Sequence, residues 1–321
     1  MTYEKILESY CQKHPEAIVL TAENRALIRN LPPRLGPRFI DTGITEQTMV
    51  GMAAGLASQG HIVICHALAT FLTMRAFEFI RTDVGIAGLP VKFTGYIPGL
   101  LSEANGPTHQ ALEDMALMLG IPGMEVYCPA DLEDMVLMCE AVWDSPNPAY
   151  FRAVHLPSGL SHEPYQYGKV EWILQNSGGV TFLVAGFLLG EVLKAAHILQ
   201  QKGVPCSVVN MRSLRPLDNE SVERAFRQSE VVIAVEDHFQ FGGLFTVLSL
   251  WLRDHTDGSG RYSGRWAPLR AINFQERWFT PALLADVLDC EMLSAEHIAA
   301  RAENLLMEEK SYREVGVPQK Q

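Results

Sequence analysis

Two side chains in the first third of the chain have the residue types and settings of acid–base groups. Glu46 lies in Asp41-Thr-Gly-Ile-Thr-Glu46, just ahead of a run of small residues, and His109 lies in Gly106-Pro-Thr-His-Gln110. A carboxyl group can hold a proton beside a ring nitrogen, and a histidine can donate a hydrogen bond to an oxygen that gains charge. Taken singly, a first-turn glutamate usually only complements the helix dipole, and a lone histidine is usually structural.

Local sequence signals predict the turn and the helix that position Glu46. Residues 38–41 are typical of a short strand, Gly43 permits a tight turn, Thr45 is a candidate N-cap, and Gly60 ends the helix. Because the helix is built largely from glycine and alanine, a flat ligand or a second backbone can approach it closely. Glu46 is therefore predicted at the mouth of a helix that can form part of a binding site.

The rest of the chain alternates short apolar runs with amphipathic helices. Tyr3–Lys13 has the periodicity of a helix and Ala17–Thr21 that of a strand, and the alternation continues along the chain. Buried strands between helices are typical of a parallel sheet covered on both faces. We therefore predict an α/β fold of two domains, each a mostly parallel sheet flanked by helices. The predicted segments are a domain over 1–160, a linker over 161–175, a domain over 176–321 and an exposed loop over 254–266.

Composition excludes several classes of function. The chain has 321 residues, a net charge of −11 and no clustered basic face, so we expect no nucleic-acid or membrane binding. The most apolar run, Val180 to Leu189, is about half as long as a membrane span, and the N-terminus lacks a signal-peptide pattern, so we expect a cytoplasmic protein. The six cysteines contain no Cys-x-x-Cys pair and no metal-ligand spacing. We therefore predict mostly buried, reduced thiols and no metal site within this chain.

Several short motifs, weak singly, form a strong signal through their order along the chain. Those of the first half resemble the pyrimidine-binding domain of thiamine-diphosphate enzymes of the transketolase family, and those of the second half resemble that family's C-terminal domain. The resemblance covers roughly residues 15 to 310 and implies the folds of both domains. The motifs are Ile44-Thr-Glu46-Gln-Thr-Met, Ala69-Thr-Phe71-Leu, Asn105-Gly-Pro-Thr-His109-Gln, Pro129-Ala-Asp131, Asn210-Met-Arg-Ser-Leu-Arg-Pro216-Leu-Asp218, and Glu236-Asp-His238 with Gly242-Gly243-Leu.

The resemblance implies which residues contact thiamine diphosphate. Glu46 aligns with the family's acid, which hydrogen-bonds the aminopyrimidine and favours its imino tautomer, so that the cofactor's own exocyclic nitrogen can take a proton. This role requires Glu46 to be protonated near neutral pH, which the helix N-terminus opposes and a desolvated, apolar pocket favours, and we expect the effect of burial to prevail. Phe71, Met74 and Phe77 fall at or near positions that line the aminopyrimidine. The core stripe of an amphipathic helix explains their spacing equally well, and Met74 replaces an aromatic residue with a thioether that can still pack on a ring.

On the substrate side, the resemblance implies roles for His109 and Asn105. His109 takes the place of a histidine that contacts the donor, and Asn105 stands where transketolases commonly carry an aspartate that reads a sugar hydroxyl. In the second domain, the resemblance assigns Glu236-Asp-His238 to assembly and packing rather than to catalysis. It assigns Gly242-Gly243 to helix entry and close packing.

Two substrate-side positions depart from the family pattern. Glu23 occurs where the family carries Asp-x-x-x-Ser, whose serine helps to bind a donor phosphate, and His155 falls near the family's phosphate-binding arginine. A carboxylate repels a phosphate dianion and histidine is a weaker cation than arginine, although Arg25 or Arg152 could substitute. We therefore expect a donor or acceptor other than an ordinary small ketose phosphate.

Half of a cofactor site is missing from the sequence. The family holds the diphosphate through a divalent cation, Mg²⁺ or Ca²⁺, on a Gly-Asp-Gly…Asn segment of a separate domain, and the one Asp-Gly pair here, Asp257-Gly258, lies in a hydrophilic stretch. The resemblance therefore implies a partner, the N-terminal transketolase subunit, in an α2β2 heterotetramer. A large, apolar interface of the obligate kind is expected.

These observations favour one function and leave two alternatives. The leading interpretation is the C-terminal (β) subunit of a split transketolase-like enzyme, which transfers a two-carbon ketol unit between sugars or sugar derivatives only when the N-terminal subunit is present. The β subunit of a 2-oxo acid dehydrogenase has the same two domains, but Gly-Pro-Thr-His-Gln followed by Ala-Leu-Glu-Asp-Met favours transketolase. A non-catalytic scaffold would explain the changed substrate-side residues, whereas joint retention of Glu46 and His109 argues against it.

Overall fold

Apolar strands form the centres of two sheets, and five of the described strands are buried at every residue. The computed structural model describes residues 2–157, 159–255, 266–274 and 277–314. The strands of these residues are β1 (Ala17–Thr21), β2 (Phe39–Asp41), β3 (Ile62–Leu68), β4 (Lys92–Tyr96), β5 (Glu125–Tyr127), β6 (Ala149–Ala153), β7 (Glu171–Leu174), β8 (Val180–Ala185), β9 (Cys206–Asn210), β10 (Ser213–Arg215), β11 (Val231–Phe239) and β12 (Leu269–Phe274).

The pairing of these strands confirms the predicted fold class. Within the described residues, the first sheet has the order β10-β5-β6-β4-β3-β1-β2 and the second the order β12-β11-β8-β9-β7. Neighbouring strands are parallel except for β10 beside β5 and β7 beside β9, which are antiparallel. The chain is therefore an α/β protein with two mostly parallel sheets, as its alternating pattern predicts.

Helices connect the strands and pack against the sheets. Their amphipathic patterns give the core its leucine, valine and methionine side chains. Two π-helical segments, Phe71–Arg75 and Ile80–Gly85, flank α4, and 3-10 turns cover Gly36–Arg38 and Leu100–Asn105. The α-helices are α1 (Tyr3–Lys13), α2 (Pro32–Leu35), α3 (Glu46–Ser58), α4 (Phe77–Phe79), α5 (Asp114–Leu119), α6 (Leu132–Trp143), α7 (Leu189–Gln201), α8 (Asn219–Gln228), α9 (Leu244–Asp254), α10 (Leu284–Cys290) and α11 (Ala295–Glu314).

Four of the short elements described above, β7, β10, α2 and α10, differ from the sequence predictions. β7 lies inside the predicted linker 161–175 and forms an edge of the second sheet; β10, from the second half, pairs with β5 of the first sheet. α2 and α10 have no counterpart in the prediction. Elements of three to seven residues are too short to show a clear period. The predicted loop over 254–266 falls, for 256–265, outside the described residues, as does the pair Asp257-Gly258.

Two further sequence expectations concern cysteines and membranes. All six cysteines are free, and all except Cys290 are buried, as predicted. In the described part of the chain, no helix has both the length and the apolar character needed to cross a bilayer.

A buried ion network joins the two sheets. Arg152 of β6 is 2% exposed and contacts Asp114 of α5 at 2.9 Å and Asp237 of β11 at 2.8 Å. Gly99, with φ +57°, leaves the space for Asp237, because a Cβ there would lie 1.5 Å from its Oδ2. Arg152 is therefore committed to packing, and the suggestion that it replaces a phosphate-binding arginine is wrong.

A second buried network lies where the linker meets both domains. His162 contacts Asp131 through Nε2 at 2.9 Å and Glu171 through Nδ1 at 2.8 Å. Arg212 contacts Asp134 at 2.7 Å and Glu171 at 3.2 Å. Burial opposes charge on His162, but the hydrogen bonds to the two carboxylates outweigh it and raise the pKa of His162 to about 10. His162, Asp134 and Glu171 lie close enough together to hold a metal ion. However, His162 and Arg212 already pair with these carboxylates.

Candidate active site

The carboxyl ends of the parallel strands in the first sheet meet at a cleft. β1 is followed by Ala22 and Glu23, β3 by Ala69-Thr-Phe71, and β4 ends at Tyr96. Open parallel sheets bind their ligands at this edge. The cleft has a volume of about 510 Å³, and its lining includes Glu23, Arg25, Arg29, Glu46, Phe71 and Tyr96.

Glu46 is the first residue of α3 and is buried, as predicted. Only 2% of its surface is exposed. Gly43 has φ +70°, a conformation that favours glycine, and this turn brings the chain from β2 into α3. Thr45 precedes the helix but does not cap it with its side chain, because its hydroxyl donates to the Thr42 carbonyl at 2.8 Å. Thr45 is therefore the N-cap residue, as predicted, although its side chain gives no capping hydrogen bond, and the predicted position of Glu46 is right.

Arg75 is the residue of this site that the sequence reasoning missed. Its Nη1 lies 3.0 Å from Oε2 of Glu46, and its guanidinium carbon lies 4.2 Å from the centre of the Phe71 ring. The Arg75 side chain remains 40% exposed. Phe71 and Arg75 are four residues apart, a spacing that makes side chains neighbours on a helical surface. That spacing is the signal that could have identified the arginine.

The three residues predicted along this segment separate in the structure. Phe71 lines the cleft with Glu46. Phe77 packs against the hydrophobic core of the first sheet, and neither Phe77 nor Met74 is among the residues that line the cleft. Contact of Phe71 with a ring is thus favoured by position, while contact of Met74 and Phe77 remains a prediction from the resemblance.

His109 lies beside Phe71 and is half-buried. The two ring centres are 5.1 Å apart, with the rings edge to face. Thr108 Oγ1 lies 2.9 Å from Nδ1 of His109, and Thr70 donates to its carbonyl at 2.6 Å. These contacts orient the imidazole next to the cleft. Asn105 is exposed, donates to Ser102 at 3.2 Å and does not line the cleft.

Of the two departures from the family pattern, one lines the cleft and the other lies beside a residue of its lining. Glu23 lines the cleft and is exposed; its backbone has φ +64°, which is uncommon for a residue with a side chain. His155 is exposed, and its ring lies 5.6 Å from that of Tyr96. Arg25 also lines the cleft, where it pairs with Asp41. Glu23 therefore lines the same cleft as Glu46, while His155 lies beside Tyr96, which lines the cleft.

Glu236, Asp237 and His238 lie away from the cleft, in the contact between the domains. His238 Nε2 accepts from the Ala116 amide at 3.3 Å, and its Nδ1 lies 2.6 Å from the Phe239 carbonyl. Burial lowers the pKa of His238 to about 4. A Cβ at Gly242 would lie 2.2 Å from Cβ of Ala116, and one at Gly243 would lie 2.1 Å from Oε2 of Glu236. The expected packing role of this segment fits these contacts.

Comparisons with known proteins agree with this architecture. Residues 2–155 match the pyrimidine-binding domain of transketolase, and residues 168–265 match the transketolase C-terminal domain. The chain belongs to the transketolase family. A solved split-gene transketolase, described as an inactive β4 tetramer, superposes with a TM-score of 0.81 at 27% identity, covering 95% of this chain and 96% of that one.

Curated members of the transketolase family resemble the chain over most of their length. A 6-deoxy-6-sulfo-D-fructose transketolase subunit, SqwH, from Clostridium sp. (strain MSTE9) is 30% identical over 97% of this chain and 95% of its own. One of the subunits of an apulose-4-phosphate transketolase from Phocaeicola vulgatus is 29% identical over 72% of this chain and 75% of its own. The chain is thus a subunit of a split transketolase, a transferase with the thiamine-diphosphate type of pyrimidine-binding domain, rather than a 2-oxo acid dehydrogenase subunit.

Proposed function

We propose that this subunit, joined to an N-terminal transketolase subunit, transfers a two-carbon ketol unit between sugars or sugar derivatives. The observation that carries the proposal is Glu46, a carboxyl group with 2% exposure at the lining of an open cleft beside an aromatic ring. A buried acid is costly unless it has a partner. Arg75 supplies that partner here, and function supplies a reason for placing the pair at the opening of the first sheet. The cleft is where a ligand of this fold binds.

The residues of the cleft fit one face of an aminopyrimidine. Glu46 presents a carboxyl oxygen suited to a ring nitrogen, and Phe71 presents a flat apolar surface. Thiamine diphosphate supplies the carbon nucleophile of ketol transfer when it is bound. Glu46 would hold a proton at the ring nitrogen, Phe71 would pack against the ring, and Arg75, which now contacts both, would turn toward the open side of the cleft.

His109 is assigned to the substrate. Its ring lies against Phe71 and is held at Nδ1 by Thr108, so Nε2 is the nitrogen that can reach a ligand in the cleft. In that position it would donate a hydrogen bond to the donor's hydroxyl or to an oxygen that gains charge. Asn105, Glu23 and His155 are proposed to contact more distant parts of the sugar.

The partner is proposed to hold the diphosphate and its divalent cation, Mg²⁺ or Ca²⁺, in an α2β2 heterotetramer. The cleft lining of this chain offers carboxylates but not the Asp–Asn segment of the family. The description of the solved relative as inactive when it forms a β4 tetramer agrees with a need for the second subunit. A cytoplasmic location is part of the proposal, and the six free cysteines are typical of a reducing compartment.

The experiment uses the chain co-expressed with its N-terminal subunit and a panel of ketose donors that includes xylulose 5-phosphate. Glu46→Gln is expected to lower ketol transfer by about 10²- to 10⁴-fold, the contribution typical of a positioned acid or base. Glu78→Gln, which removes an exposed carboxylate outside the cleft, is the control. The chain without its partner should be inactive. Equal activity of the Glu46 variant and the wild type would remove Glu46 from the mechanism, and no activity of either complex with any donor would support the scaffold alternative. Robust activity of the isolated chain would refute the split site.

A further inference from the structure

We propose that Arg29 binds the terminal anionic group of the sugar substrate and that Glu23 restricts this group to a single negative charge. This inference rests on the proposed function, because it assigns further residues of the same cleft. Both side chains line the cleft that contains Glu46 and Phe71. A sugar whose reacting end lies near Glu46 and His109 would place its other end toward them.

The other arginine of the cleft already has a partner. Nε of Arg25 donates to Asp41 at 2.8 Å, and its Nη2 contacts the same carboxylate. Burial opposes ionisation of Asp41, but hydrogen bonds from Gly43, Arg25 and Glu23 outweigh it and lower the pKa of Asp41. The aspartate therefore stays charged and compensates Arg25, which leaves this arginine with little net charge for a ligand.

Arg29 is the arginine of the cleft lining that is free to bind an anion. Among the described residues it has no hydrogen-bonding or ion-pair partner. Its backbone is nevertheless fixed: Ile28 and Leu31 on either side are fully buried, and the Ile28 amide donates to the Arg25 carbonyl at 3.1 Å. Asn30 is tied to Glu4 at 3.0 Å. A guanidinium on a fixed segment can bind an oxyanion through two parallel hydrogen bonds.

Glu23 adds the restriction on charge. Its amide donates to Asp41 at 3.1 Å, which holds the backbone at φ +64°. Such a conformation is costly for a residue other than glycine, and residues of this kind cluster at functional sites. The Glu23 carboxylate also lacks a partner within the described residues, so it can accept sugar hydroxyls. Its charge repels a phosphate dianion more strongly than a singly charged group such as a sulfonate.

The first test measures kcat/KM of the two-subunit complex with fructose that carries a sulfonate, a phosphate or the normal hydroxyl at C6. Arg29→Ala is expected to lower kcat/KM for both anionic donors by roughly 10- to 100-fold, the usual effect of losing a charged hydrogen bond, through KM. It should leave unsubstituted fructose unchanged. Glu23→Gln should raise the phosphate-to-sulfonate ratio several-fold. Arg34→Ala, which removes an exposed arginine paired with Glu8, is the control. An equal loss for all three donors, or an equal effect of Arg34→Ala, would overturn the proposal.

A second measurement separates this inference from the proposed function. Methanesulfonate, a singly charged anion, is titrated calorimetrically into the same complexes, without turnover. Arg29→Ala should weaken methanesulfonate binding at least tenfold, whereas Arg34→Ala should not. If no donor supports ketol transfer, the proposed function fails, and the methanesulfonate titration still decides the anion site. Unchanged methanesulfonate affinity in the Arg29 variant would eliminate the site even in an active enzyme.

Discussion

The local sequence around Glu46 determines its position but not its contacts. The glycine turn, the first-turn placement and the small-residue helix all lie within residues 38–60 and can be read directly. The guanidinium of Arg75 comes from a segment nearly thirty residues later, in a π-helical turn that the periodicity of an ordinary helix does not predict. The burial of Glu46 was therefore predictable, and its ion pair was not.

Position in the cleft distinguishes Phe71 from Met74 and Phe77, its neighbours along the segment. Phe71→Ala removes the ring that faces the cleft with Glu46, so the dissociation constant of thiamine diphosphate from the two-subunit complex should rise about tenfold, a typical value for loss of an aromatic contact. The measurement is a cofactor titration followed by fluorescence. Phe79→Ala, at an exposed position outside the cleft, is the control and should leave the constant unchanged. A larger rise for Phe77→Ala than for Phe71→Ala would reassign the ring contact.

Among the secondary structure elements, length decides what could be predicted. α1 and β1 have the predicted boundaries, because the first is long enough to show a helical period and the second is a continuous apolar run. β7 and β10 have four and three residues, and each is a strand only because a distant edge pairs with it. The pattern of a short segment carries no information about such an edge. Tertiary pairing, rather than local propensity, forms these strands.

The entry to α9 shows why an acidic residue lies in the domain contact. Glu236 of β11 accepts the amide of Leu244 at 2.5 Å and that of Phe245 at 3.1 Å. These amides are two of the unpaired donors at the start of the helix. Gly243 leaves the space that the carboxyl group needs. Glu236 thus acts as a cap supplied by a strand, a role that the motif Glu-Asp-His alone does not reveal.

This cap should make stability depend on pH in a narrow window. Burial, opposed by these hydrogen bonds and by Arg152, raises the pKa of Glu236 from 4.5 to about 7. Between these values the folded state binds more protons than the unfolded state, so the contribution of Glu236 is fully present below about pH 4.5 and is lost as pH rises through 7. Urea unfolding should show wild-type stability falling relative to Glu236→Gln over this window. A stability difference that stays constant with pH would contradict the raised pKa of Glu236, since the loss of one hydrogen-bond-accepting oxygen changes stability by the same amount at every pH.

In the whole molecule, two ion networks hold together segments that are far apart in sequence. Arg152 joins β6 to β11, and Arg212 joins the second domain to α6, while β10 extends the first sheet with residues from the second half. Hydrophobic patterning predicts two sheets but not their contact, because the side chains that hydrogen-bond across this contact are 76 residues or more apart in sequence. Removing one member of such a buried pair leaves a charge unpaired, which typically costs about 3–5 kcal/mol. The charged residues at the contact therefore specify how the domains meet.

The network around His162 yields a prediction for the intact chain at alkaline pH. The ring faces Asp131, Asp134 and Glu171, and Arg212 also pairs with the two last-named carboxylates. Because its pKa is raised from 6.5 to about 10, the stability that protonated His162 contributes is complete below about pH 6.5 and is lost as pH rises through 10. The urea midpoint of the wild type should therefore exceed that of His162→Gln clearly at pH 6 and approach it above pH 10. His197→Gln, at an exposed position on α7, controls for general effects of alkaline pH. If the urea midpoints of the His162 variant and the wild type differed by the same amount at every pH, the ring would be neutral in the folded protein. The two carboxylates would then need another source of positive charge to remain ionised together beside Arg212.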